Sequence, residues 1–145
     1  MKFSEVNKEQ WEELRPYMDT CLLPITGLTG DQNPWQVTEE LEKLRDIMDY
    51  VEFPFKGRIV TYPALHYVTY DEAFIDHVNR LCLGFKELGF RYVIVISSDS
   101  GLNQMEFSAC DLFIRAKDGA KGKLQVRELV EACWSQEAEN STEDE

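Results

Sequence analysis

The chain has 145 residues, 43% of them hydrophobic and 12% aromatic, with a formal net charge of -12. That is the length of one domain with enough apolar content to pack a core, which excludes a disordered chain. The acidic balance repels nucleic-acid backbones and anionic membranes, and no apolar run approaches the roughly 20 residues of a span, so neither nucleic acid nor a membrane span is expected. Asn7 to Met18 reads as a first helix, with Asn7 as cap, Gln10 as its capping-box partner, and Trp11, Leu14 and Met18 on one face. Thr20 to Ile25 reads as a short strand in which Pro24 removes a ladder donor, so this is expected to be a strand end or an edge strand.

Thr26 to Asn33 is a loop, and Asn33-Pro34 supplies a cap and a first-turn proline for the next helix. Its expected buried stripe is Trp35, Leu41, Leu44, Met48 and Val51, with the helix ending before Pro54. Arg58 to Tyr62 reads as a second strand stopped by Pro63. Thr69 and Glu72 have capping-box spacing ahead of a helix that buries Phe74, Val78, Leu81, Cys82, Phe85 and Leu88 and stops at Gly89. The run from Tyr92 to Ile96 is apolar without alternation, the pattern of a strand covered on both faces. A helical turn within Leu102–Phe107, a fourth strand at Leu112–Arg115, a turn at Asp118-Gly119 and a helix at Leu124–Trp134 follow. After Gln136 the segment 137–145 holds five acids and no base and is expected to be a disordered tail.

Strands alternating with amphipathic helices imply right-handed crossovers and a mostly parallel sheet. The expected fold class is α/β: a single three-layer α/β/α domain over residues 1–136, with about four strands, Rossmann-like or flavodoxin-like. If the strand order is 2-1-3-4, the loops Thr26–Gly30 and Ser97–Gly101 face each other at a switch point, where such sheets bind ligands.

The candidate site residues follow from that placement. Thr26-Gly27-Leu28-Thr29-Gly30 is neither G-x-G-x-x-G nor a P-loop, so it reads as a turn or, alternatively, a phosphate cradle. In Ser98-Asp99-Ser100-Gly101, Asp99 could hold a magnesium ion or a ribose hydroxyl and the serines an anion, or all could cap their own turn. No G-x-S-x-G elbow is present and neither histidine follows these serines, which disfavours a serine hydrolase. His66 could be a proton carrier or ligand contact beside Tyr67, or a packed or solvated ring; His77 reads as surface. Asp31 and Asp99 could share a cation if the loops meet. Tyr62, Tyr67, Tyr70 and Phe90 read as core or as an interaction surface. Arg115, Lys117, Lys121, Lys123 and Arg127 form the basic cluster and read as a solvated loop. The cysteines at 21, 82, 110 and 133 make no CxxC pair and read as packed, reduced thiols, and no metal site is expected. The opening Met1-Lys-Phe-Ser-Glu-Val-Asn lacks the apolar core of a signal peptide, so the expected compartment is the cytoplasm.

Three stretches carry a family resemblance: Met1-Lys-Phe-Ser, Tyr17-Met-Asp-Thr-Cys-Leu-Leu-Pro-Ile25, and Gly57-Arg-Ile-Val-Thr-Tyr-Pro-Ala-Leu-His-Tyr67. They resemble the YpiF-like proteins of Bacillus and relatives, the domain of unknown function DUF2487, over Met1 to about Trp134. The family supplies no catalytic residues. Its genes stand near those of the menaquinol–cytochrome c reductase, so the resemblance implies a peripheral role in assembly or regulation of a respiratory complex. The resulting expectation is a non-catalytic protein that binds a partner protein or small-molecule ligand through Thr26, Gly27, Gly30, His66, Tyr67, Ser98, Asp99 and Ser100, with the cofactor and oligomeric state open. The alternative is a small enzyme acting on a nucleotide or phosphorylated metabolite.

Overall fold

The computed structural model describes the backbone of residues 1–143 and the side chains of residues 1–136, so the expected acidic tail, 137–145, lies outside the described side chains. Strands β1 (Thr20–Ile25), β2 (Ile59–Thr61), β3 (Tyr92–Ser97) and β4 (Leu112–Ile114) form a parallel sheet in the order β2-β1-β3-β4. The helices are α1 (Lys8–Leu14), α2 (Pro34–Glu52), α3 (Glu72–Glu87), the short α4 (Ala116–Gly119) and α5 (Lys123–Glu143). Side chains alternate between the faces as the strand period requires. Cys21, Leu23, Ile25, Val60, Val93, Val95 and Phe113 pack with Phe74, Val78 and Cys82 of α3, and α1 adds Trp11 and Leu14. Leu22, Ile59, Ile94, Ile96 and Ile114 pack on the other face with Leu44, Ile47, Met48 and Val51 of α2 and Val126 and Val130 of α5. This is a three-layer α/β/α fold of the Rossmann or flavodoxin type. The chain moves outward from β1 to β2, then back past β1 to β3. With crossovers of one hand, that reversal puts α2 and α3 on opposite faces.

Pro24 shows how local the edge rule is. β1 is central, not an edge strand, and Pro24 pairs with Ile96. The even-numbered residues of β1 bond toward β2: Leu22 O accepts from Tyr62 N, Pro24 O from Leu65 N, and Thr26 N donates to Leu65 O. β2 has ended at Thr61, so the missing Pro24 donor faces a place where no strand continues.

The capping box at Asn7 forms as expected; the Asn33 side chain makes no cap bond, and Gln36 Oε1 instead accepts from Asn33 N at 2.8 Å. α1 ends at Leu14 rather than Met18, because Pro16 cannot continue the ladder. Trp35 and Leu41 are 61% and 39% exposed, not buried. α2 is about 28 Å long whereas a six-residue strand spans about 20 Å, so its first turn, with Trp35, overhangs the carboxyl edge of the sheet. Leu41 lies at the margin of the buried stripe and lines a surface cleft with Leu44 and Met48. Ile47 takes a place in the buried stripe instead. The cap of α3 is Asp71, which accepts from Phe74 N; Thr69 donates to Asp71. Leu88 is exposed because Gly89, at φ 114, turns the chain so that Phe90 fills the slot, its N–H donating to Phe85 O. Asp118-Gly119 closes α4 rather than a simple turn, and the turn after β3 is a 3-10 turn at Ser100–Leu102. Among the described residues no helix is long and apolar enough to cross a membrane.

Candidate functional site at the carboxyl edge of the sheet

β1 and β3 are neighbours and their following loops meet. A Cβ at Gly27 would lie 2.7 Å from Glu40 Oε2 and 3.3 Å from Asp99 Cβ, so the bare backbone is wedged between two acids. The Ser97 hydroxyl donates to Ile25 O at 2.8 Å and accepts from Asp99 N at 3.1 Å, which stitches the ends of the two strands together. Asp99 Oδ1 accepts from Gly101 N at 3.0 Å, and Oδ2 accepts from the Tyr70 phenol at 2.6 Å. The Tyr70 ring lies against Gly101, where a Cβ would meet it at 2.9 Å. Partial burial, the bond to Asp99, and the charges of Asp99 and Glu40 push the Tyr70 phenol up to about 12. Tyr70 is therefore a fixed donor at neutral pH, and Asp99 serves first as the acceptor that shapes this turn.

The second half of the edge extends the sheet past β2. Thr26 is fully buried; its N–H and hydroxyl both donate to Leu65 O, at 2.9 and 3.0 Å. His66 is exposed, with Nδ1 3.4 Å from Thr26 Oγ1. Tyr67 is 70% exposed at φ 59, the one non-glycine positive φ among the described residues. The cause lies on either side of it. Leu65 is tied to Thr26, and Val68 N donates to Leu28 O at 2.8 Å with its side chain buried, so the link between them is forced into the left-handed region.

The glycine loop is closed on itself. Gln32 Oε1 accepts from Thr29 N and Gly30 N, and its amide donates to Gly27 O and Thr29 Oγ1. Gly30 sits at φ 99 with open space around it. Asp31 accepts from Thr29 inside the same loop. Ser100 is exposed at the start of the 3-10 turn. Ser98 points away from Asp99: its buried Oγ has no hydrogen-bond partner among the described residues, and it lines a cleft of about 270 Å³ with Lys43, Asp46, Tyr50 and Gly119. The strand alternation accounts for this, since Ser97 continues one face and Ser98 the other.

The structure thus brings Thr26, Gly27, His66, Tyr67 and Asp99 to one edge, leaves Gly30 and Ser100 on its rim, and turns Ser98 to the α2 side. Gln32, Glu40 and the Tyr70 phenol belong to the assembly although the spacing in the sequence did not mark them. Gln32 follows the glycines it bonds, which is a readable local signal; Tyr70 was marked only as a core or interaction-surface aromatic, its bond to Asp99 carries no local signal, and Glu40 carries none. Burial pushes the thiols of Cys82 and Cys110 up to about 11 and 12, and that of Cys21 higher still, which removes them from thiolate chemistry at neutral pH. Among the described residues no group of three or more His, Cys, Asp or Glu side chains is placed to hold a metal ion.

A family model described as a protein of unknown function, DUF2487, matches residues 9–115. The chain belongs to this family. The matched segment runs from α1 to the residue after β4, so this DUF2487 domain contains the sheet and all three loops of the carboxyl edge. No curated protein and no solved structure matches the chain.

Proposed function

We propose that this DUF2487 protein is a non-catalytic cytoplasmic binding protein that captures a partner protein at the carboxyl edge of its sheet. The observation that carries the reading is Tyr67, a large aromatic side chain 70% exposed and held at φ 59 by anchors on both sides. A non-glycine residue in the left-handed region costs on the order of 1–2 kcal/mol. A side chain presented at that cost, with the ring of Tyr70 half exposed nearby in sequence, has the make-up of an interface anchor. Asp31, Glu40, Asp71 and Asp99 make this edge acidic, which favours a partner segment carrying Lys or Arg. The polar groups that an enzyme would use are engaged internally: Asp99 with Tyr70 and Gly101, Ser97 with Ile25, Thr26 with Leu65. The YpiF-like resemblance points to a partner among respiratory-complex components or their assembly factors.

Photo-crosslinking from position 100, exposed on the rim of this edge, in the native cytosol tests this. Capture is expected to survive His66→Ala and to fail in Tyr67→Ala and Tyr67→Gly, although Tyr67→Gly relieves backbone strain and should hold or raise the melting temperature. Capture that is indifferent to both Tyr67 variants overturns the reading. A second reading, a nucleotide or phosphosugar at the switch point, rests on the meeting of the β1 and β3 loops at Gly27 and Asp99 and works against the acidic charge of this edge. A nucleotide or phosphosugar at about 100 times its dissociation constant would add roughly 2.7 kcal/mol. At this size that raises the melting midpoint by about 5–10 °C. Loss of that shift in Asp99→Ala would favour the ligand over the partner.

A further inference from the structure

α2 turns a second, unrelated surface to solvent. Leu41, Arg45, Asp49 and Phe53 recur at every fourth position, on the i±4n ridge that runs away from the buried stripe of Leu44, Ile47, Met48 and Val51. Leu41 and Phe53, 39% and 63% exposed, stand at the two ends of this ridge. Clefts flank it on both sides. One, of about 640 Å³, is lined by Met1, Leu41, Leu44, Met48 and Phe53; the other, of about 750 Å³, by Tyr50, Phe53, Pro54 and Leu124. Asp49 and Phe53 line both.

The order along the ridge is apolar, positive, negative, apolar, which is its own complement when read backwards. We propose that this face of α2 docks on the same face of a second copy of the chain about a two-fold axis. In the antiparallel arrangement Leu41 meets the partner's Phe53 and Arg45 meets the partner's Asp49, and each contact occurs twice. Aligning the i±4n ridges of the two helices gives the commonest class of helix crossing, and each Phe53 enters the partner's cleft beside Leu44 and Met48. A parallel pairing in register is opposed, because it sets Arg45 against Arg45 and Asp49 against Asp49. Arg45 is free to turn: its present contact is a 3.3 Å approach to Asp46 with both side chains about two-thirds exposed. Tyr67 takes no part, so this surface stands or falls independently of the proposed partner site.

Sedimentation equilibrium of the full chain over a concentration series tests the proposal. The wild type is expected to reach twice its 16.9 kDa mass. Arg45→Glu and Asp49→Arg should each lose the dimer, since each puts like charges opposite one another. An equimolar mixture of the two variants should regain it, because each is the other's complement across the axis. The double variant R45E/D49R should dimerise alone, and Phe53→Asp should abolish association in every background. None of the three substituted positions is buried, and unchanged melting temperatures confirm that the variants fold. A single 16.9 kDa species at every wild-type concentration overturns the proposal and leaves the ridge to a foreign partner. A dimer indifferent to both charge reversals overturns it as well, and failure of the mixture to reassociate overturns the antiparallel register.

Discussion

The two edges of this sheet use the same kinds of residue to opposite ends. At the amino edge Asp19 accepts from Arg58 through both carboxylate oxygens, at 2.9 and 3.1 Å, and from the Thr20 hydroxyl. Arg58 lies 3.8 Å over the Trp134 ring, and the Trp134 indole donates to Thr20. One carboxylate, one guanidinium and one indole thus join the start of β1, the residue before β2 and α5. At the carboxyl edge Asp99 again takes two donors, but one of them is the phenol of a half-exposed tyrosine, and the loop beside it lifts Tyr67 into solvent. A polar network that consumes its own members closes one edge, whereas on the other the same economy positions rings that face outward. Polarity at a strand end therefore does not identify a site; what the network holds in solvent does.

The largest effect that sharpens this contrast is expected at the amino edge. Arg58→Ala removes a bidentate pair and a stacked cation and should cost about 2 kcal/mol. That lowers the melting midpoint by roughly 4–7 °C at this size, with partner capture unaffected. A variant that leaves the midpoint unchanged would break the comparison. Gly27→Ala comes next. The new methyl group must displace the Glu40 carboxylate and press on Asp99, at a cost of about 1–2 kcal/mol. Calorimetry would read the cost, and weakened capture would show that the loop positions the exposed rings.

Tyr70→Phe should cost about 1 kcal/mol at neutral pH, the worth of one hydrogen bond. Its pH dependence is more telling. The unfolded phenol titrates near 10 and the folded one near 12, so the neutral form is the one the fold favours. The contribution of Tyr70 is complete below pH 10 and fades as the pH rises to about 12. The stability gap between wild type and Tyr70→Phe should close across that window in denaturant titrations; a constant gap would mean that the phenol is not what Asp99 holds. The smallest effect is expected from deleting residues 137–145, which should leave the midpoint nearly unchanged in a thermal scan. A large drop would mean that the acidic segment packs against the body.

Much of the architecture was legible because its signals are local. The unbroken apolar run of β3 needs cover on both faces whatever surrounds it, Asn7 carries its capping partner Gln10 three residues on, and Gly89 can adopt the turn that ends α3. The meeting of Gly27 with Asp99 was legible only as a conditional, since it needs β1 and β3 to be neighbours. Glu40 was not legible, standing among the charges of an amphipathic helix; Tyr70 was legible as a core or interaction-surface aromatic, but its bond to a carboxylate 29 residues away was not.

By itself, then, the sequence determined the element types, their alternation and the parallel layered fold, because helix caps, periodicity and turn glycines act within a few residues. Only the tertiary structure decided that Pro24 sits harmlessly inside a central strand, that Trp35 and Leu41 are exposed, that Ser98 faces away from Asp99, and that Tyr67 takes a left-handed conformation. Each of these depends on where a neighbouring strand ends or where a distant loop is tied, and such contacts close only when the chain has folded.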